Sequence, residues 1–224
     1  MGLVLEGGGG PCSRVVVGAV VLAAGAGERI GRRPKCLLEL GGVSLIRRTL
    51  IALSGAGVDE VVVVLGHHAD EIAPVVETFP VTVVHNPRPE DGQVSSQRVG
   101  LAALSGKLDA VMVVLADQPL LDVQDLVALL AAWQKRAAGI DVIFPEVGGQ
   151  RGNPVVFSAD VRDEILAGEA TVGCRQWQGR HPDRVMSFTT DNRRYRIDID
   201  TDDDLQRFER ETGHALRWPV RSPA

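Results

Sequence analysis

The stretch VVVGAVVLAAGAGERIGRRPK, residues Val15 to Lys35, decides how the chain folds. It begins with an apolar, mostly β-branched run without polar alternation, which is typical of a parallel strand buried on both faces. The small residues after Leu22 leave little bulk between a ligand and the backbone amides. Because ligands of open α/β sheets bind at the carboxyl ends of strands, this loop can present N–H groups to an anion. The positive charge that follows indicates a triphosphate. It comes from Arg29, Arg32, Arg33 and Lys35.

Two other interpretations of this stretch stay open. An arginine, an apolar run and small residues also make up a secretory signal peptide. The junction could instead be a plain turn with solvated arginines. The glycines and cations that continue in order past the small residues favour a phosphate loop. The spacing matches neither GxxxxGK[ST] nor GxGxxG, since Gly31 comes one residue too late for the second motif.

Composition describes an ordinary globular chain and excludes some partners. The 224 residues are 45% hydrophobic, enough for one domain with a full core. A net charge of −5, from 24 basic and 29 acidic residues, argues against nucleic acid or an anionic membrane as the main partner. No apolar run is long enough to span a bilayer. Cys12, Cys36 and Cys174 lack CxxC spacing, so we expect reduced thiols in a cytoplasmic protein.

Strand and helix patterns alternate along the chain. Buried strands are predicted at Val61 to Leu65 and Ala110 to Leu115, each followed by a helical pattern. This alternation predicts an α/β fold, a three-layer α/β/α, Rossmann-like single domain with a mostly parallel sheet. We expect residues 1–13 to form a flexible leader, residues 14–213 the folded domain, and residues 214–224 a C-terminal tail that frays.

Carboxylates near the end of two predicted strands indicate a metal site. Asp117 follows the strand VMVVLA and precedes a turn fixed by Pro119, which places a carboxylate at the ligand-binding edge. A local turn is the alternative role for this aspartate. In a strand over Tyr195 to Ile199, the side chains of Asp198 and Asp200 would share one face. Mg²⁺ often takes only one or two protein carboxylates, and the pattern does not choose between these two.

A further segment, NPRPEDGQVSSQRVGL, carries features of a base-binding loop. Gly92 lets the backbone approach a flat base, and Ser95 and Ser96 can cap a helix. Capping alone is the other interpretation of the two serines.

These motifs carry a family resemblance that extends over most of the chain. LAAGAGERIG (22–31), Pro34-Lys35 and LLELGG (37–42) resemble the LAAGxGxRxG…K…L…G signature of the nucleotidyltransferase fold, within it the molybdenum cofactor cytidylyltransferase branch. ADQP, TDDDL and GQRGNPVVF resemble its ADQP or ADMP, TPEDL and GxxGHPVLF motifs. Asn153 stands where the family usually has histidine.

The resemblance implies a set of site residues, in which residues 14–213 form the nucleotidyltransferase domain. The implied catalytic residues are Arg29, Lys35 and Asp117. The implied nucleotide-binding residues are Leu22, Ala23, Ala24, Gly25, Gly27, Arg29, Lys35, Gly92, Ser95, Ser96 and Gly100. The implied acceptor-binding residues are Gly152, Asn153 and Pro154. The metal, Mg²⁺, is expected on Asp117 together with Asp198 or Asp200.

The resemblance also implies the reaction, which is transfer of CMP from CTP to the terminal phosphate of molybdopterin with release of pyrophosphate. A molybdenum enzyme or its chaperone is a candidate further partner. A substrate phosphate is already ionised at neutral pH, so the absence of a catalytic triad is consistent with this chemistry. The alternatives are a sugar-phosphate or other small phosphate-acceptor nucleotidylyltransferase, a non-catalytic nucleotide-binding module and, disfavoured by glycine spacing, a dinucleotide-binding oxidoreductase.

Overall fold

The predicted first strand lies in the middle of the sheet, with nearly all of its residues buried. The structure is a computed structural model that describes residues 14–220. The strands are β1 (Val17–Ala23), β2 (Glu39–Leu40), β3 (Val43–Ser44), β4 (Glu60–Leu65), β5 (Thr82–His85), β6 (Ala110–Leu115), β7 (Val142–Val147), β8 (Gln150–Arg151), β9 (Val155–Ser158), β10 (Val185–Thr189) and β11 (Leu216–Arg217). The helices are α1 (Leu45–Gly55), α2 (Ala69–Val76), α3 (Gln93–Ala103), α4 (Val123–Gln134), α5 (Ala159–Ala167), α6 (Cys174–Arg180) and α7 (Asp202–Thr212).

The main sheet is mostly parallel, in the order β10-β7-β9-β6-β1-β4-β5. β1 pairs in parallel with β4 and β6, so the loops after these three strands meet at one edge. β9 runs antiparallel to both of its neighbours, β6 and β7. The short β8 precedes β9 and also pairs with β7. The predicted α/β class and the mostly parallel sheet are confirmed.

Helices cover both faces of this sheet. Buried side chains of α1, α2 and α4 pack on one face, and they include Trp133 of α4. Buried side chains of α3, α5 and α6 pack on the other face, and they include Trp177 of α6. The helix α4 begins with a capping box, in which the Asp122 carboxylate accepts hydrogen bonds from the backbone N–H groups of Gln124 and Asp125.

A third, smaller core joins distant parts of the chain. Its buried members include Ile30 and Leu38 from the segment after β1, and Ile199 and Phe208 from the C-terminal part. Leu216 also belongs to it, because β11 pairs antiparallel with β2. The prediction that the chain frays after Gly213 is therefore wrong at these residues. The predicted leader lies outside the described residues.

The strand predicted over Tyr195 to Ile199 is also wrong. Residues Arg193–Arg196 form a turn of 3-10 helix, and residues 197–200 belong to no strand of the described chain. The buried Tyr195 explains this, because its hydroxyl donates to the Asp125 carbonyl at 2.7 Å. Two hydrogen bonds from Arg194 to aspartates of the α4 capping box hold the same turn. Tertiary contacts thus override the local pattern.

Within residues 14–220, the helices are too short or too polar for one to cross a bilayer.

Gly100 explains how closely α3 packs on the sheet. A Cβ at this position would lie 2.3 Å from Val20 Cγ1 and 2.7 Å from Val64 Cγ2. We predict that Gly100→Ala lowers the free energy of unfolding by about 1–3 kcal/mol, because the helix must move off the sheet. Chemical denaturation measures this change in the free energy of unfolding.

Gly179 in α6 provides the matched control, since nothing lies within 4 Å of an added Cβ. Gly179→Ala should leave stability unchanged or raise it by up to about 1 kcal/mol. Equal effects of the two substitutions would contradict the packing role of Gly100.

Candidate active site

The loop after β1 turns tightly on Gly27. Its carbonyl accepts hydrogen bonds from the N–H groups of Ile30 and Arg32 at 3.0 and 2.9 Å. Gly27 has a φ of 64°, and a Cβ there would lie 2.1 Å from the carbonyl oxygen of Arg33. Only glycine fits this turn without strain. The loop can therefore curl back at the sheet edge and leave the preceding small residues open to a ligand.

Lys35 reaches two carboxylates from distant parts of the chain. Its ammonium lies 2.7 Å from Asp117 Oδ2 and 2.6 Å from Asp200 Oδ1. The buried neighbours Cys36 and Leu37 anchor the turn of 3-10 helix on which Lys35 lies. Burial lowers the pKa of Lys35, but the charge of Asp117 and the hydrogen bonds to both carboxylates outweigh it, and the pKa is raised. The ammonium is thus held charged between two anions.

Arg29 adds a second cation to the same cluster. Its Nη2 donates to Asp200 Oδ2 at 2.8 Å, on an exposed side of the site. Burial alone would raise the pKa of Asp200, but the hydrogen bond from Lys35 and the charges of Lys35 and Arg29 lower it.

The pKa of Asp198 is shifted in the opposite direction. Partial loss of hydration and the nearby charges of Asp117 and Asp200 raise the pKa of its carboxyl.

The carboxylates of Asp117 and Asp200 fit a divalent cation. Asp117 Oδ1 is buried and has no hydrogen-bond partner, although its other oxygen binds Lys35. An orphaned, buried carboxylate oxygen is a position that a cation can complete. In residues 14–220, no group of three or more His, Cys, Asp or Glu side chains converges on a metal position. Two carboxylates with solvent are a common set for Mg²⁺.

A cleft of about 390 Å³ opens beside this cluster. It lies between the loop after β1, the end of β6 and the start of α3. Its lining includes these residues predicted to bind the nucleotide or metal: Leu22, Ala23, Ala24, Gly25, Lys35, Gly92, Ser96 and Asp117.

Other predicted residues lie elsewhere. Gly27 shapes the loop, Arg29 lies at the exposed side, and Gly100 is packed against the sheet. Among the described residues, the prediction missed lining positions in the loop after β4 and before α3, His67, Pro89 and Glu90. His67 could have been found because it follows the carboxyl end of a strand next to β1.

The two serines do not cap α3, which corrects the expectation. The helix begins at Gln93, after the N-cap Gly92, so both serines lie within its first turn. Asn86 explains their role. Its side-chain Nδ2 donates to Ser96 Oγ at 3.0 Å, and its Oδ1 accepts from Ser95 Oγ at 3.1 Å. The buried Asn86 thereby fixes the loop after β5 against the helix that lines the cleft.

The predicted acceptor residues lie between β8 and β9. Gly152, Asn153 and Pro154 do not line the cleft described above within the described chain. The N–H of Asn153 donates to the Tyr195 carbonyl at 2.8 Å. Gln118, next to Asp117, donates to the same carbonyl from Nε2 at 3.1 Å. A single backbone oxygen thus links the Asp117 turn to the predicted acceptor loop.

Known proteins resemble this chain in sequence and in fold. Residues 19–185 match the model of the MobA-like NTP transferase domain. Nicotine blue oxidoreductase of Paenarthrobacter nicotinovorans is 32% identical over 205 residues, 88% of this chain and 97% of that protein.

Two solved structures resemble the fold closely. Rv0371c of Mycobacterium tuberculosis H37Rv has a TM-score of 0.71 and 25% identity, covering 87% of this chain and 97% of its own. A nucleotidyl transferase, Mth528, of Methanothermobacter thermautotroptrophicus has a TM-score of 0.71 and 26% identity, with 88% and 97% covered. Since the family match extends over most of its length, the chain belongs to the MobA-like NTP transferase domain family, a family of nucleotidyltransferases.

Proposed function

We propose that this chain transfers CMP from CTP to the terminal phosphate of molybdopterin, releases pyrophosphate and requires Mg²⁺. The observation that carries the reaction type is the ammonium of Lys35 held between Asp117 and Asp200 at the mouth of the cleft. One cation and two carboxylates beside a loop of bare amides suit a triphosphate with its metal. CTP as donor and molybdopterin as acceptor rest on the sequence motifs.

The chain's own residues bind and orient the reactants in this proposal. The loop amides around Gly25, together with Lys35 and Arg29, bind the phosphates of the donor. An oxygen of the acceptor phosphate attacks the α-phosphorus, and the bond from that phosphorus to the bridging oxygen of the β-phosphate breaks. The leaving pyrophosphate carries the displaced electron pair. Asp117 and Asp200 would hold Mg²⁺, which would supply Lewis-acid stabilisation of the developing negative charge.

Asp200 is the better candidate for the second metal ligand. It shares Lys35 with Asp117, and so its carboxylate already faces the position that a cation would take. Asp198 instead lines a separate cavity, together with Arg196 and Arg207. The manganese complex of Rv0371c, a structure with 25% identity to this chain, makes a divalent cation a reasonable ligand for such a protein.

The name of the relative from Paenarthrobacter nicotinovorans raises an oxidoreductase as a competing activity. A phosphate-binding loop could also bind a dinucleotide. The sequence argues against this, because Gly31 breaks the GxGxxG spacing and β4 is followed by Gly66, His67 and His68 rather than by an acidic residue for the ribose.

Pyrophosphate release from the purified full chain with CTP and Mg²⁺ tests the proposal. The acceptors are molybdopterin, a sugar 1-phosphate and an alcohol phosphate, each compared with a reaction without acceptor. Acceptor-dependent release with molybdopterin is expected. Release with only another phosphate would reassign the acceptor. Reduced-dinucleotide oxidation without pyrophosphate release would overturn the reaction type.

The first prediction concerns the ligands of the metal. Asp117→Asn and Asp200→Asn should each lower kcat by more than about tenfold, or about 1.4 kcal/mol, because each loses a negative ligand of the same size. Asp198→Asn should lower it by less than about threefold. Mn²⁺ titration followed by electron paramagnetic resonance gives a second measure. A stronger effect of Asp198→Asn than of Asp200→Asn would reverse the assignment.

Lys35 and a divalent cation should stabilise the same carboxylates. In the absence of metal, Lys35→Met should lower the free energy of unfolding by about 2 kcal/mol, since partly buried carboxylates lose their counter-charge. Mn²⁺ should then raise Tm by more in this variant than in the unmodified protein.

Arg29→Met is the control for Lys35, because the Arg29 side chain is 67% exposed and such pairs contribute little. Thermal unfolding with and without Mn²⁺ measures both variants. An equal metal-induced shift in the Lys35 variant and the unmodified protein would mean that the cation binds elsewhere.

The donor preference follows from Ala24. This residue is buried, lines the cleft and lies against Gly66, where an added Cβ would meet Ala24 Cβ at 2.8 Å. The methyl group of Ala24 narrows the space beside the nucleotide base in a close-packed cleft, so a purine should fit worse than a pyrimidine. We predict a kcat/KM for CTP at least about tenfold above that for GTP, and a smaller ratio in Ala24→Gly. Equal values in the unmodified protein would contradict the CTP assignment.

A further inference from the structure

Arg151, on β8, is a half-buried cation without an acidic partner. Its guanidinium lies over the ring of Phe144, 4.0 Å from the centroid, and donates a hydrogen bond to Gln178 Oε1. Glu146 is its register partner on β7, yet no ion pair joins them and no other described carboxylate pairs with Arg151. A neutral amide and an aromatic face are thus the contacts of a positive charge that has lost much of its water.

Two other partly buried arginines of this chain are each paired with carboxylates. Arg184 binds Asp141 at 2.7 Å and Glu164 at 3.1 Å. Arg194 binds Asp122 at 2.6 Å and Asp125 at 2.8 Å. Removing a cation from water is costly unless an anion offsets it. Arg151 has no such carboxylate among the described residues, so an anionic ligand would offset its charge.

Two neighbours make the position still more suited to an anion, one by its charge and the other by a free N–H donor. Burial, followed by the nearby charge of Arg175, lowers the pKa of Arg151 to about 10, so the guanidinium remains charged at neutral pH. Gln178 is 6% exposed; its Oε1 accepts from Arg151, and its Nε2 is buried without a hydrogen-bond partner. An unpartnered, buried N–H donor costs about 1–3 kcal/mol. An anion could accept from this donor and from Arg151 together.

The sheet register places Arg151 at the reactive edge. Val155 of β9 lies opposite Val113 of β6, and the two strands are antiparallel. Arg151 lies four residues before Val155, and Asp117 lies four residues after Val113, so both lie beyond the same end of neighbouring strands. On this face α6 contacts α3, which lines the donor cleft, through a hydrogen bond from Cys174 N to Gln97 Oε1 at 3.0 Å.

We propose that Arg151 and Gln178, assisted by Arg175, bind a phosphate group of the acceptor substrate, an inference that rests on the proposed nucleotidyl transfer. The site would take a phosphomonoester, whose oxygens accept from the Arg151 guanidinium and from Gln178 Nε2. Gly152 and Asn153 follow Arg151 directly, so the predicted acceptor loop begins at this anion site.

Inorganic phosphate is the probe that tests this site without knowledge of the acceptor. Isothermal titration measures its Kd on the full chain, with the donor loop filled by the α,β-methylene analogue of CTP. Arg151→Gln should weaken phosphate binding by more than tenfold, about 1.4 kcal/mol. The Kd of the CTP analogue itself should change less than about twofold. In turnover, the acceptor KM should rise while the CTP KM stays unchanged.

Gln178→Glu supplies a variant that should fold well. The new carboxylate is isosteric with the amide and can pair with Arg151, so Tm should stay unchanged or rise. The same carboxylate should repel phosphate and abolish its binding. Arg180→Gln is the control in the same helix, since the Arg180 side chain is 57% exposed and its Nη2 lies 3.7 Å from Glu169 Oε2. The phosphate affinity of this variant should match that of the unmodified protein.

The outcomes separate this site from the wider proposal. Unchanged phosphate binding in both Arg151→Gln and Gln178→Glu would overturn the anion site. Equal losses of phosphate and CTP binding would assign Arg151 to the donor and overturn its acceptor role. If the protein neither binds CTP nor releases pyrophosphate, yet phosphate binding still depends on Arg151, the nucleotidyl transfer fails and the anion site stands without its acceptor role.

Discussion

The ammonium of Lys35 is the interaction on which the geometry of the site depends. It joins Asp117, at the end of a central strand, to Asp200, which lies more than eighty residues further along the chain. Without a cation, these carboxylates and the neighbouring Asp198 would repel one another in a region with little water. The lysine therefore stabilises the ligand-free arrangement, and its position between two carboxylates resembles the position that a metal would require.

This interaction is possible because hydrophobic packing brings the segments together first. The third core packs Ile30 and Leu38, on either side of Lys35, against Ile199, next to Asp200. Asn192, which precedes the turn Arg193–Arg196, donates from Nδ2 to the buried carboxylate of Asp125 at 2.6 Å and so holds that turn on α4. Apolar burial supplies the free energy, whereas the polar contacts fix the direction of each carboxylate.

Sequence patterns predicted the features whose causes are local. The buried run of β1 and the glycine-rich loop after it could be read from side-chain size and backbone freedom. Asp117 could be placed because strands with parallel neighbours end at one edge. The turn at Tyr195 could not be predicted, since it depends on contacts with Asp122 and Asp125 some seventy residues away. The serines of α3 were misinterpreted for the same reason, because their partner is Asn86.

The antiparallel strand β9 explains why the segment proposed to bind the acceptor lies at the same edge as the loop after β1. In an all-parallel sheet, only residues after a strand's carboxyl end reach the ligand-binding edge. β9 runs the other way, so the residues that precede it, from Arg151 to Pro154, lie there instead. The positive-φ glycines Gly148 and Gly149 make the tight turn that reverses the chain after β7. The reversed strand β9 thus brings the loop after β1 and the segment proposed to bind the acceptor to the same end of β6, as the proposed in-line transfer between two phosphates would require.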